Sequence, residues 1–128
     1  MGPETKIVDD AAIAQVQQLP FPAVVRELIE TLGATTAAVA CGVTHTGDLR
    51  RWEAGIKSPA LAEARLRTAL QATRILVMSD SALVAKAWWY GRNPRFRDVA
   101  PIEILRETSP GDPALSRIVG AARGTATN

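Results

Sequence analysis

An all-α fold is what this sequence predicts, and three observations predict it. Apolar residues recur three and four apart along most of the chain, the spacing that builds one face of a helix. Gly, Pro, Ser, Thr and Asp fall between those stripes, where helices need starts and stops. No stretch alternates apolar and polar residues as a half-buried strand does.

The first 19 residues carry the weakest pattern and read as an N-terminal extension (1–19). Asp9 or Asp10 would cap a short helix through Leu19, because an Asp carboxylate accepts from the free amides of a helix start. Pro22 suits the first turn of the next helix, where its missing N–H has no partner to lose. Val24, Val25, Leu28, Ile29 and Leu32 then form one stripe, and Gly33 ends it. Thr35 or Thr36 would cap a short helix to Cys41. Gly42 allows a turn, and a third helix spans 47–54 with Thr46 as its cap. Ser58-Pro59 opens the longest helix, 59–78, with Ala62, Leu66, Ala69, Leu70, Thr73, Leu76 and Val77 inward. Arg65, Arg67, Gln71 and Arg74 lie off that stripe and are expected to face water or a partner. Ser79 or Asp80 would cap a helix to Tyr90, with Leu83, Val84, Ala87 and Trp88 on its core face. Residues 92–100 form a loop. Pro101 starts a short helix with Ile102, Ile104 and Leu105. Pro113 starts a last one with Leu115, Ile118 and Val119, and 124–128 should fray.

With 128 residues and 47% apolar content, the chain fits one compact domain or a domain with a small lobe. No apolar run approaches the ~18 residues of a membrane helix, and the Gly-, Pro- and Glu-bearing start is no secretory signal. Lone Cys41 cannot form an internal disulfide, and a cytoplasmic location without membrane contact follows as the expectation. Net charge is only +2. Between Val43 and Arg74, however, Arg50, Arg51, Lys57, Arg65, Arg67 and Arg74 outnumber Asp48, Glu53 and Glu63. Such a local excess suits phosphates, or is a solvated helix face.

The helices near 35–41 and 47–54 read as a helix-turn-helix, whose second helix offers side chains to a DNA groove. Trp52 would anchor it in the core. His45, Thr46, Arg50, Arg51 and Lys57 are the candidate DNA-binding residues, and Arg is the most specific of them through its planar fork. Asp48 opposes phosphate there. The alternative is an ordinary helical hairpin. A second constellation gathers Trp88, Trp89, Tyr90 and Phe96, four of six aromatics, with Arg92, Arg95 and Arg97. Adjacent Trp88 and Trp89 point ~100° apart on a helix, so Trp88 is expected inside and Trp89 or Tyr90 at an interface. Internal packing of all four, stacking on single-stranded nucleic acid and a ligand pocket are the alternatives.

Catalysis is not expected. His45 is the sole histidine, and the intervening turn separates it from Cys41, which reads as a small core residue. No phosphate-cradling loop, metal-ligand cluster or nucleophile motif is present, so neither cofactor nor metal is implied.

One ordered set of residues resembles the Xre/MbcA/ParS family of bacterial antitoxins over about residues 22–123. Arg51-Trp52, Gly55, Pro59, Arg65-Leu66 and Ala69 match in the first half. Ala85, Trp88-Trp89, Asn93-Pro94, Pro101, Glu103 and Leu105 match in the second. The resemblance implies an Xre-like helix-turn-helix region (20–78) followed by a toxin-binding helical region (79–128). It further implies a RES-domain, NAD-consuming toxin as partner, neutralised by occlusion of its active site, and operator binding that autoregulates the operon. Trp89, Tyr90, Arg92, Asn93, Arg95, Phe96 and Arg97 then become toxin-binding candidates. Arg117 and Arg123 join them on a tail, 114–123, that would reach the toxin pocket while its deletion spares the fold. A two-fold homodimer is expected, because paired half-sites suit two-fold proteins. A stand-alone helix-turn-helix regulator whose C-terminal region dimerises or binds a ligand is the alternative. Three departures stand out. The turn 42–47 is one residue longer than is usual in Xre-like domains, Arg92 stands where Pro is common, and Arg97-Asp98 replaces a small, Gly-rich pair.

Overall fold

The computed structural model describes residues 8–127, and among them the fold is all-helical. Eight α-helices follow in order: α1 (Asp10–Gln15), α2 (Phe21–Leu32), α3 (Ala34–Cys41), α4 (Thr46–Glu53), α5 (Ala60–Ser79), α6 (Ala82–Tyr90), α7 (Pro101–Leu105) and α8 (Pro113–Thr127). Short 3-10 turns add Val16–Gln18 and Pro94–Phe96. The part of the N-terminal extension before residue 8 lies outside the described residues, as does Asn128.

Helix α5 is the hub. It packs against α1, α2, α3, α6 and α8. One stripe was expected, yet Thr68, Ala72 and Ile75 are buried as well as Ala62, Leu66, Ala69, Leu70, Thr73 and Leu76. A helix touched from several sides needs apolar residues round most of its circumference. Ala62, Ala69 and Ala72 keep its neighbours close. Residues 20–78 and 79–128, expected as two regions, share one continuous core, from Val24 and Leu28 through Leu66 and Leu70 to Ile118 and Ala122.

The polar side of α5 is not a free face. Short α1 and the 3-10 turn behind it leave backbone carbonyls with no helical partner. Arg67 donates to Val16 O and Leu19 O at 2.8 and 2.9 Å, and Arg74 donates to Ala12 O at 2.6 Å. Arg74 also grips both carboxylate oxygens of Glu27, which raises its pKa further. Arg65 ties the end of α3 to the turn after α7, donating to Cys41 O at 2.8 Å and Thr108 O at 2.9 Å. The expectation that Arg65, Arg67 and Arg74 face water or a partner is therefore overturned. They satisfy internal acceptors, each charged bond contributing about 1.5–3 kcal/mol. Gly42 makes room for Arg65. Its φ is 83°, and a Cβ there would meet Arg65 Nη1 at 2.7 Å and Arg106 O at 3.1 Å.

Several helix limits shift for identifiable reasons. Asp9 caps α1 through Ala11 N, but regular helix stops at Gln15. Thr36 caps nothing; its hydroxyl lies 3.0 Å from Tyr90 OH, and α3 begins at Ala34 after left-handed Gly33. Thr46 is the first residue of α4, not its cap. Ser81 caps α6 through Val84 N, in place of Ser79 or Asp80. Residues 124–127, expected to fray, continue α8.

Helix α6 is turned relative to expectation. Its core face is Ala85 and Trp89, while Leu83, Val84 and Ala87 are exposed and Trp88 is half-buried. The Trp89 indole N–H finds Thr73 Oγ1 at 3.0 Å inside, so its polar edge is satisfied when the ring is buried. Trp88 packs edge-on to Trp89 at 5.0 Å and donates to Thr125 Oγ1 at the rim.

The loop after α6 stores strain. Asn93 Oδ1 accepts from Arg95 N, and Asn93 O accepts from Phe96 N and Asp98 N. That tight loop puts Arg97 at φ 54° and Asp98 at φ 65°, a left-handed pair where the resembled family has small, Gly-rich residues. Left-handed backbone costs a side-chain-bearing residue about 1–2 kcal/mol. Arg97→Gly and Asp98→Gly are each expected to stabilise the protein by about 0.5–1 kcal/mol, after the greater chain entropy of glycine is subtracted. A higher urea midpoint with an unchanged slope is the expected reading.

Candidate functional site

Two surfaces bring the candidate residues together. The first is the α3–turn–α4 unit. Leu49 and Trp52 point α4 into the core, and Trp52 meets the Phe21 ring with centroids 6.2 Å apart. This fixes the opposite side of α4 outward. His45, Thr46, Arg50, Arg51 and Lys57 are all exposed. Their charge is largely answered within the unit. Arg51 is paired with Asp48, Arg50 lies 3.8 Å from Glu53, and Arg26 of α2 approaches the same Glu53 at 4.0 Å. Exposed pairs of this kind are worth about 0–1 kcal/mol, so a phosphate can displace the carboxylate at small cost. If this unit meets DNA, as proposed below, Asp48→Asn should release Arg51 and raise affinity for a duplex about 3- to 10-fold at low salt. Fluorescence anisotropy with a labelled duplex reads that change, and equal affinity of variant and parent would remove Arg51 from the DNA surface.

The second surface lies where the α6–α7 loop meets α8. Arg95, Phe96, Arg117, Gly120 and Ala121 line an open groove of about 510 Å³. Arg95 runs along α8 so closely that a Cβ on Gly124 would fall inside its guanidinium. Pro94 starts the 3-10 turn that presents Arg95 and Phe96, and Ile118 and Ala122 bury the far side of α8 and turn Arg117 outward. Arg92, Arg95, Arg97 and Arg117 are exposed, and none makes an ion pair among the described residues. The arginines of α5, by contrast, are spent on internal acceptors. A groove with an aromatic floor and unpaired guanidinium groups suits carboxylates or other planar anions, which accept two parallel N–H bonds from Arg.

Six of the nine candidates, Trp89, Tyr90, Arg92, Asn93, Arg97 and Arg123, do not line that groove. Trp89 is wholly buried and hydrogen-bonded to Thr73, so it is a core residue and not an interface residue. Asn93 is also buried, its side chain spent on the loop backbone. Arg123 sits farther along α8, bridged to Asp10 at 2.7 Å. Tyr90 remains partly exposed, its hydroxyl held by Thr36. The expected arm at 114–123 is no arm either: Ala114, Ile118, Ala121 and Ala122 are buried in the common core. Gly120 and Gly124 were the missed residues. Their spacing of four places two side-chain-free positions on one face of α8: Gly124 seats the Arg95 guanidinium, and Gly120 leaves the groove open beside it.

Cys41 is buried, and burial pushes its thiol from 9.0 up to about 11, against the opposing pull of Arg65. The thiol therefore stays protonated near neutral pH, whereas a nucleophilic cysteine needs the reverse. His45 is exposed at the start of α4.

Comparison with protein-family models, with curated proteins and with solved structures finds no match.

Proposed function

We propose that this chain is an antitoxin of a two-component toxin–antitoxin pair, acting by occlusion of its partner's active site. The observation that carries the reading is the Arg95–Phe96–Arg117 groove with its unpaired arginines. An enzyme that consumes NAD must bind phosphate and carboxamide groups in a polar cavity. A guanidinium or aromatic ring presented from a rigid helix competes for such a cavity without chemistry of its own. The resemblance to the Xre/MbcA/ParS family supports a RES-domain enzyme as that partner. The α3–α4 unit would add operator binding and autoregulation of the operon, strengthened in the complex. The chemistry then belongs to the toxin, and this chain needs neither cofactor nor metal.

A second reading, a stand-alone regulator that dimerises through its C-terminal region, is favoured by the exposed apolar face of α6. Co-expression with the product of the adjacent open reading frame separates the two. Under the first reading the neighbour arrests growth alone, and this chain restores it. A harmless neighbour together with tight operator binding by this chain would establish the second.

A further inference from the structure

We propose that the cleft between the first 3-10 turn, α5 and α8 binds a small, uncharged, planar ligand with an amide-type edge, a hydrogen-bond donor beside an acceptor. The inference does not rest on the antitoxin reading. Gln17, Thr68, Gln71, Leu115, Ser116 and Val119 line a cavity of about 350 Å³ there. Small-molecule sites run from about 300 to 1,000 Å³, so this one suits a single ring or a base. Thr68 marks it as a site. Four threonines are buried among the described residues. Thr36 bonds to Tyr90, Thr73 accepts from Trp89, and Thr108 donates to Leu105 O. The Thr68 side chain, on a residue only 7% exposed, has no hydrogen-bond partner among the described residues. Every fully enclosed side-chain polar atom of those residues is partnered, so the Thr68 hydroxyl opens onto the cavity. A hydroxyl this deep ordinarily bonds within the protein. Here the bond is left for a guest.

The lining selects the guest. None of the six residues is ionisable, unlike the groove at Arg95 and Arg117. A charged guest would lose hydration with no opposite charge to replace it. Gln17, Thr68, Gln71 and Ser116 offer two amides and two hydroxyls, groups that each donate and accept. A glutamine amide pairs side by side with an edge that holds donor and acceptor together, as it does with adenine in nucleic acids. Gln71 gives its nitrogen to Ile13 O at a long 3.4 Å, which leaves its oxygen free. Gln17 and Ser116 have no side-chain partner among the described residues. Leu115 and Val119, one turn apart on α8, present aliphatic surface to one face of a flat ring.

Free nucleobases and primary carboxamides share that edge. Either would bridge three segments distant in sequence: the turn at Val16–Gln18, the middle of α5 and the start of α8. Helix α5 holds the turn and α8 by separate contacts, and a guest bonded to Gln17, Thr68 and Ser116 ties them together. Binding should therefore raise the melting temperature, because a ligand of the native state alone stabilises that state.

Titration of the full chain with nicotinamide and, separately, with adenine tests this, read by the side-chain amide resonances of Gln17 and Gln71 in nitrogen-15 correlation spectra. At least one of the two compounds should shift them saturably, with a dissociation constant of about 1 mM or tighter for so small a ligand. A response to adenine alone assigns a nucleobase, to nicotinamide alone a carboxamide, and to both the shared edge. Nicotinate, the anionic isostere, and glucose, which has hydroxyls but no amide edge, should each bind at least ~10-fold more weakly. Thr68→Val keeps the shape and removes the hydroxyl. It should weaken binding at least ~5-fold while the melting temperature of the free chain stays level or rises, since that hydroxyl bonds to nothing inside the protein. Ser116→Trp, on the exposed rim, should close the cavity and abolish the shifts. No saturable shift from either compound up to about 5 mM would overturn the proposal. So would equal affinity for nicotinate or glucose, or a Thr68→Val chain that binds as the parent does.

Discussion

Removal of residues 114–128 is expected to unfold the protein outright. Helix α8 contributes Ala114, Ile118, Ala121 and Ala122 to the buried core, with Leu115, Val119 and Ala126 packed at its margin. Each fully buried aliphatic side chain contributes about 1.5–3 kcal/mol. The deletion also bares the side of α5 on which α8 lies, so the loss rivals the 5–15 kcal/mol that hold a typical domain together. The shortened chain should show no cooperative thermal transition, and its far-ultraviolet dichroism should fall well beyond the share of the missing helix. A truncated protein that melts cooperatively would show that residues 20–112 form a core of their own. The sequence predicted that opposite outcome, because a short amphipathic tail after a turn cluster looks the same whether it docks or projects.

Charge reversal in the groove should abolish partner binding with little effect on stability. Arg95, Arg117 and their loop neighbours Arg92 and Arg97 are exposed and unpaired among the described residues, so Arg95→Glu and Arg117→Glu break no ion pair. Across an interface, each reversal replaces attraction by repulsion, which costs several kcal/mol when water is excluded. The double variant should bind the partner at least ~100-fold more weakly, equivalent to about 2.7 kcal/mol. Its urea midpoint should remain close to that of the parent. Calorimetric titration of the complex reads the first quantity and denaturation reads the second. A matching reversal in the control pair Arg50→Glu and Arg51→Glu should leave partner binding unchanged and, on the operator-binding proposal, weaken DNA affinity.

Much of the fold was legible because the relevant signals are local. Gly33 and Gly42 occupy left-handed turns that few other residues tolerate, and Pro22, Pro101 and Pro113 stand in first turns. Those punctuation marks located the helices to within a few residues. The turn of α6 was not legible. The Leu83–Val84–Ala87–Trp88 sector and the Ala85–Trp89 sector are both apolar, and only Thr73 on another helix, waiting for an indole N–H, decides between them. The role of α5 was hidden similarly. Arg67, Gln71 and Arg74 read as a solvated stripe, yet their spacing matches the carbonyls that a six-residue α1 and its 3-10 turn leave open. A long basic stripe in a chain with a short, weakly patterned first helix can cap that helix as readily as it can meet phosphate.

The candidate site was legible in part. Arg95, Phe96 and Arg117 come together as a groove although 21 positions separate Phe96 from Arg117. Trp89 and Asn93 were misassigned, because neighbours in sequence on a helix end or tight loop point in opposing directions. In the loop, Arg97 and Asp98 accept left-handed backbone to hold Arg95 and Phe96 in place. Strain retained in a loop that presents unpaired charge fits a surface shaped for binding.

The central claim is that this chain silences an enzyme by filling its cavity, and NAD turnover by the purified neighbouring gene product tests it most directly. Titrating the parent chain into that enzyme should bring turnover to zero at one chain per catalytic site, whereas the Arg95→Glu/Arg117→Glu variant should leave it running. Undiminished turnover in the presence of excess parent chain would contradict the account.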